Sequence, residues 1–265
     1  MHYLLYQLST PYFIAKIFDA YTEKTDEEIY QETRHIVSAL MQKVVYGEWL
    51  TVILGKEFVQ NPANKLDLPI EGTTYDPNID PSTENGFATA AFRFGHSMLQ
   101  GLIDLVDIQT KTVISSNAIR DNLFNDTKYE ATDGVDNLFA GLCQQAAQTN
   151  DASVTEEVTN FLFMEPENNF GQDLVSRNLQ RSRDHALGGF LAFRARFSGI
   201  NENIDSFQCF QNSPEGISVA DWENLKRLYQ DPNDIDLFVG GLLEPPVQGG
   251  ILGATFHGIV GEYFA

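Results

Sequence analysis

Apolar positions along this chain recur mostly at helical spacing. Thr25-Asp26-Glu27-Glu28 has the form of a capping box, in which a threonine side chain and a glutamate three residues later satisfy each other's backbone N–H groups. Ile29, Thr33, Ile36, Val37, Leu40 and Val44 follow at three- and four-residue intervals, which predicts an amphipathic helix stopping near Gly47. The pattern fails between Lys56 and Thr83, where Pro62, Pro69, Pro77 and Pro81 predict a long surface connection within one domain.

Helical spacing resumes from Glu84 to Asp107. Phe87, Ala91, Phe94, Met98, Leu102 and Leu105 form one stripe, and Phe92, Leu99 and Ile103 another on the opposite side. A helix apolar on both sides is expected in the middle of a core. Arg93, His96 and Gln100 lie beside the second stripe, and polar groups in such a place need partners. Further helices are expected near 117–125, 132–148, 152–163, 172–185, 189–197 and 218–229, with glycine-rich stretches at 239–243 and 248–253. No hairpin turn flanked by alternating β-branched residues is evident, and the fold class expected is all-α.

The chain has 265 residues, enough to bury a substantial core. Its 17 Lys and Arg against 37 Asp and Glu give a net charge of -20, which argues against nucleic acid and anionic membrane as partners. No uninterrupted apolar run reaches the roughly 18 residues expected of a membrane span. The first residues, MHYLLYQLSTPYF, lack the basic start and cleavage site of a signal peptide. Two cysteines, Cys143 and Cys209, allow a single bridge or two unpaired thiols. Asn125-Asp126-Thr127 is an N-glycosylation sequon, of use only in a secreted chain.

Three features suggest chemistry. All five basic residues from Arg177 to Arg196 are arginines, in a segment where they either hold an anion or pair with the protein's own carboxylates, Asp184 being the nearest. His96 lies in the expected buried helix with Arg93 one turn before it, whereas His35 lies off its helix's apolar stripe and should be solvated. There is no His-Glu-x-x-His or Cys/His cluster for zinc. Asn178 falls in mid-helix on the side of Leu174 and Arg181, where a poor helix former must spend its amide on something; accepting the N–H of a metal-ligating imidazole is one such use.

These residues carry a family resemblance. Asp173-Leu-Val-Ser-Arg-Asn178-Leu-Gln-Arg181-Ser-Arg-Asp184-His185-Ala-Leu-Gly-Gly-Phe190 resembles the L-x-x-x-N-x-Q-R-[SG]-R-D-H-G-L signature of the animal haem peroxidases. Phe92-Arg93-Phe94-Gly95-His96 resembles the family's F-R-[FY]-G-H segment, and the stretches from Ile29 to Gly55 and from Asp234 to Gly241 align in the same order. The resemblance implies haem b as cofactor. His96 would be the proximal ligand of the haem iron, with Asn178 accepting the hydrogen bond of its other ring nitrogen. Arg93 would pair with a haem propionate, and Arg181 would lie close by. Arg183, Asp184 and His185 match positions read as structural.

Departures accompany the match. Ala186 and Gly188 stand where the family usually has Gly and Pro, and Ser198 where it commonly has a cysteine. In this alignment the family's distal histidine, distal arginine, haem-linking acids and calcium loop all precede Met1, and His2 is not the distal base. The expectation is therefore a partial domain over 1–265, the proximal half of a peroxidase, with no catalytic residue of its own. Hydrogen peroxide and a small electron donor would be partners of the full-length form, and the missing N-terminal half a partner of this chain. Location would be extracellular or lumenal by resemblance. The alternatives are a non-catalytic binding or adhesion module derived from a peroxidase, and an unrelated all-α protein whose arginines pair with carboxylates.

Overall fold

The computed structural model describes residues 23–64, 66, 77–125, 127–130, 133–165, 167–197 and 216–265. It divides into two units, one up to Ile79 and one comprising Asp80–Phe264. The elements are mainly helical, as the periodicity requires, with one small sheet.

In the first unit α1 (Asp26–Val44) starts at the expected capping box: Glu28 N–H donates to Thr25 Oγ1 and Thr25 N–H to Glu28 Oε2 at 2.8 Å. Ile29, Thr33 and Val37 form its buried side, and His35 is exposed. Gly47 does not stop the helix. The chain passes through a π-helical turn at Val45–Trp49 into α2 (Leu50–Ile53), and it is Gly55, at φ 88°, that ends the run before α3 (Lys56–Val59). By length and composition Asp26–Ile53 is long and apolar enough to cross a membrane, although it holds no uninterrupted apolar run of that length. Lys43 and Glu48 lie within it, and charges near a bilayer centre are costly.

The second unit departs most from expectation between Glu84 and Asp107. Instead of one helix there are α4 (Asn85–Thr89), a break at Ala90, a 3-10 segment from Ala91 to His96, and then strand β1 (Leu102–Val106). β1 pairs antiparallel with β2 (Val113–Ala118), with a bulge at Leu105/Val106. The loop between them is turned by Asp107, whose Oδ1 accepts the N–H groups of Gln109 and Thr110 at 2.8 and 2.6 Å, and by Lys111 at φ 60°. Such a hairpin needs no Asn-Gly turn, and Leu102 and Leu105 fit a helical period as well as a strand. The 117–125 helix reduces to a 3-10 turn at Ile119–Asp121.

Helix α5 (Gly134–Gln144) packs on β1, and Gly141 permits the approach: a Cβ there would lie 1.8 Å from the Asp104 carbonyl oxygen. Cys143 on α5 is exposed, while Cys209 lies outside the described residues, as does the bridge considered between them. The helix expected over 152–163 is the single turn α6 (Glu156–Thr159).

Three helices follow close to their expected bounds, namely α7 (Leu174–Asp184), α8 (Phe190–Phe197) and α9 (Val219–Leu228), and a fourth, α10 (Leu237–Leu243), stands where the glycine-rich stretch predicts no helix. The chain continues into α11 (Ala254–Phe264). The turn after α7 holds Ala186 at φ 52°, so the position where the family prefers glycine is one whose backbone favours it. Helices α8, α10 and α11 pack together around Phe190, Phe238, Phe256, Ile259 and Val260, all buried. Adjacent glycines Gly240 and Gly241 face the rings of Phe190 and Phe256, where a Cβ would sit 2.1 and 2.2 Å from ring carbons. Within this core Arg194 and Glu244, each with a side chain 1% exposed, form an ion pair. Thr255 donates to Glu244 from N–H and hydroxyl, at 2.7 and 2.9 Å, at the start of α11.

Candidate functional site

The 3-10 segment and one face of α7 bring three of the expected residues into a single hydrogen-bonded chain. Asn178, fully buried, places its carboxamide Nδ2 2.9 Å from Nδ1 of His96, and its Oδ1 accepts from Arg93 Nη1–H at 2.8 Å. Residues 82 and 85 positions apart in sequence thus meet because α7 lies beside the break in the 84–96 stretch. Ser182, one turn after Asn178, donates its hydroxyl to the Thr89 carbonyl at 3.2 Å and fixes that contact. Arg93 is steadied from behind, its Nε–H donating to the Ala88 carbonyl at 3.0 Å, which the broken helix leaves free.

The amide stands in the opposite sense to the expected one. Because Arg93 takes the carbonyl oxygen, the amide N–H faces the ring, and in this arrangement Nδ1 of His96 accepts while Nε2 carries the proton. A half-turn about the last torsion of Asn178 reverses the pair and offers Oδ1 to an Nδ1–H. That half-turn requires Arg93 to give up its bond to the amide.

Burial, with Arg181 close by adding its own positive charge, holds the Arg93 guanidinium below its ordinary pKa. The imidazole of His96 is likewise pushed down, first by burial and then by Arg93, which favours the neutral form, the one able to ligate a metal. Among the described residues no carboxylate forms an ion pair with either Arg93 or Arg181.

The remaining arginines of the 177–196 segment differ. Arg183 makes a two-pronged contact with Asp236, at 3.0 and 2.7 Å, and Tyr229 O–H donates to the same carboxylate at 2.8 Å. Burial and that carboxylate push the Tyr229 phenol up to about 12. Arg194 pairs with Glu244, and Arg196 with Glu262 at 2.9 Å and Glu84 at 3.4 Å. Arg177 donates to Gln172. Asp184 accepts from Gln180, and His185 Nδ1 lies 3.1 Å from Asn85 Oδ1. Carboxylate pairing therefore accounts for Arg183, Arg194 and Arg196, through Asp236, Glu244, Glu262 and Glu84, while Asp184 serves Gln180.

Three residues near His96 differ from the sequence expectation. Gln100 donates to the Ala146 carbonyl at 2.7 Å and accepts from Gln148, so it tethers the loop before β1. Phe92 and Leu99, expected on a buried stripe, are 44% and 37% exposed and leave apolar surface on the His96 segment. Ser182, Thr89 and the Ala88 carbonyl carry no sequence signal of their own, since their part depends on where the helix breaks. Ser97 shows the same dependence: its hydroxyl lies 3.2 Å from Asn150 Oδ1 and anchors the residue after His96.

Comparison with known proteins identifies the family. The family model for animal haem peroxidase matches residues 13–265. The chain is 34% identical over 243 residues to a chorion peroxidase of Drosophila melanogaster, covering 91% of this chain and 28% of that protein. It is 35% identical over 240 residues to the thyroid peroxidase of Sus scrofa, covering 89% of this chain and 25% of that one. Among solved structures, peroxidase A from Dictyostelium discoideum superposes with a TM-score of 0.80 at 30% identity, over 96% of this chain and 45% of its own. The chain thus spans under a third of the length of these two curated relatives and under half of that structure. It belongs to the animal haem peroxidase family.

Proposed function

We propose that this chain supplies the proximal side of a haem peroxidase, with His96 as the iron ligand, and that the full-length protein oxidises a small donor with hydrogen peroxide. The observation that carries the reading is the placement of a neutral imidazole, a buried carboxamide and two guanidiniums that have no carboxylate partner among the described residues, in one spot on a family fold. These residues suit haem b: a nitrogen donor for iron, two cations for propionates, and the apolar side chains of Phe92 and Leu99, whose exposed surface contact with a porphyrin removes from water.

When bound, haem supplies the redox centre. The chain's part is to hold the ligand. Asn178, turned so that Oδ1 accepts from Nδ1–H, keeps the proton off Nε2 and makes the imidazole a stronger donor. Arg93 would pair with a propionate in place of the amide, which would leave the amide free for that turn, and Arg181 would add a second positive charge. Ser182 and the Ala88 carbonyl keep these groups in register.

Splitting peroxide also requires a base that moves a proton between its oxygens and a cation that stabilises the developing charge. In our reading both belong to the distal part of the domain, outside these 265 residues, and the match to only 45% of a solved peroxidase chain supports this. The family's calcium loop would lie there too. The location proposed is extracellular or lumenal, by family. Peroxide-dependent oxidation of a phenolic donor tests the reading. The full-length gene product should turn over and its His96→Ala variant should not, while the 265-residue chain alone should be inactive. Turnover by the chain alone would overturn the division into halves, and an unimpaired His96→Ala variant would overturn the assignment of the ligand.

A further inference from the structure

We infer that Asn125 carries an N-linked glycan whose first sugar rests on the exposed ring pair Phe124–Phe163. This rests on the lumenal or extracellular location proposed above.

Asn125-Asp126-Thr127 is the single Asn-x-Ser/Thr sequon in the 265 residues. Such a match is cheap by itself, but the structure adds a setting for it. Asn125 is exposed, and Thr127 Oγ1–H donates to its Oδ1 at 2.7 Å. The Nδ2 that would take the sugar makes only a long contact, 3.4 Å, to the Asp121 carbonyl. The turn around it is anchored: Asn122 donates to the Ala118 carbonyl at 2.6 Å and accepts from Tyr129 O–H at 2.8 Å, and Arg120 pairs with Glu157 on α6.

Beside this asparagine stands a feature that the haem site does not use. Phe124 is 90% exposed and Phe163 41% exposed, and their ring centroids lie 5.7 Å apart. Both hold positive φ, 58° and 53°, which bulky L residues rarely adopt. A strained backbone that presents two aromatic rings to water points to an occupant. A pyranose offers one: its C–H face packs against the electron-rich face of an aromatic ring. The sugar's position, attached to the residue that follows Phe124, puts it within reach.

In the transfer, Asn125 Nδ2 bonds to C1 of an oligosaccharide carried on a lipid diphosphate, the C1–O bond to the diphosphate breaks, and Nδ2 loses one proton. No redox change is involved.

The test expresses the full-length protein in a secreting cell behind a fixed heterologous signal peptide, so that entry to the lumen does not depend on the natural location. A mobility shift removed by peptide-N-glycosidase is expected, and the part assigned to this site should be lost in both Asn125→Gln and Thr127→Ala. Glycan removal should lower the melting temperature of wild type and lower it less in Phe124→Ser. An unchanged shift in Asn125→Gln overturns the site, and an equal drop in Phe124→Ser overturns the contact with the rings. Retention of the natural protein in the cytosol would instead sink the location and leave the site's competence intact.

Discussion

Arg194 and Arg93 are both arginines held against the core of the second unit, and they meet opposite surroundings. Arg194 lies against Glu244, whose carboxylate also takes two donors from Thr255. Arg93 is answered by a neutral amide and a backbone carbonyl, with Arg181 close by as a second cation. The first arrangement is closed, with its charges matched inside the protein. The second leaves positive charge without an acid among the described residues, beside an imidazole whose neutral form burial favours, and the proposed haem site rests on that difference.

Breaking the closed pair should have the largest effect. Glu244→Ala removes the carboxylate facing a buried guanidinium and is expected to cost about 3–5 kcal/mol in denaturant unfolding. An effect below ~1 kcal/mol would mean that Arg194 reaches water. Arg183→Ala, which removes the exposed partner of Asp236 but leaves Tyr229 in place, should cost about 1 kcal/mol by the same measurement.

The Arg120–Glu157 pair offers a test by pH. Arg120 holds the Glu157 carboxyl below the ordinary carboxylate range, so its stabilisation is present above the unfolded-state pKa and fades as pH falls through the depressed folded value. The gap in unfolding midpoint between wild type and Glu157→Gln should be constant near neutrality and close under acid. A gap that widens on acidification contradicts the pairing. The smallest effect is expected at Arg181, which is exposed and has no carboxylate partner among the described residues: Arg181→Ala should shift stability by no more than about 0.5 kcal/mol. Its cost should fall on haem affinity instead, and a large loss of stability would make it part of the scaffold.

The same contrast separates what could be read from the sequence from what could not. The capping box at Thr25, the helix around Asn178 and the helices at Phe190–Phe197 and Val219–Leu228 follow from spacing and cap chemistry, which are local, whereas Gly240 and Gly241 concealed the helix at Leu237–Leu243. His96, Arg93 and Asn178 stood out because each is a polar residue in an apolar stripe or mid-helix. The break at Ala90 was not legible, since nothing between Phe87 and Phe94 opposes a continuous helix. With it went the exposure of Phe92, the free carbonyl of Ala88 and the strand beginning at Leu102. Asp236 and Glu244 were equally silent, because a carboxylate's partner is fixed by packing between distant segments rather than by sequence distance. Nor could residue types foretell the sense of the Asn178 amide, which Arg93 decides.

The most direct test of the central claim is a haemin titration of the chain followed in the Soret region, with wild type beside His96→Ala. The account predicts a shifted Soret band in wild type, characteristic of imidazole ligation, and its loss in the variant. The same band in both proteins would show that His96 does not hold the iron and would contradict the account.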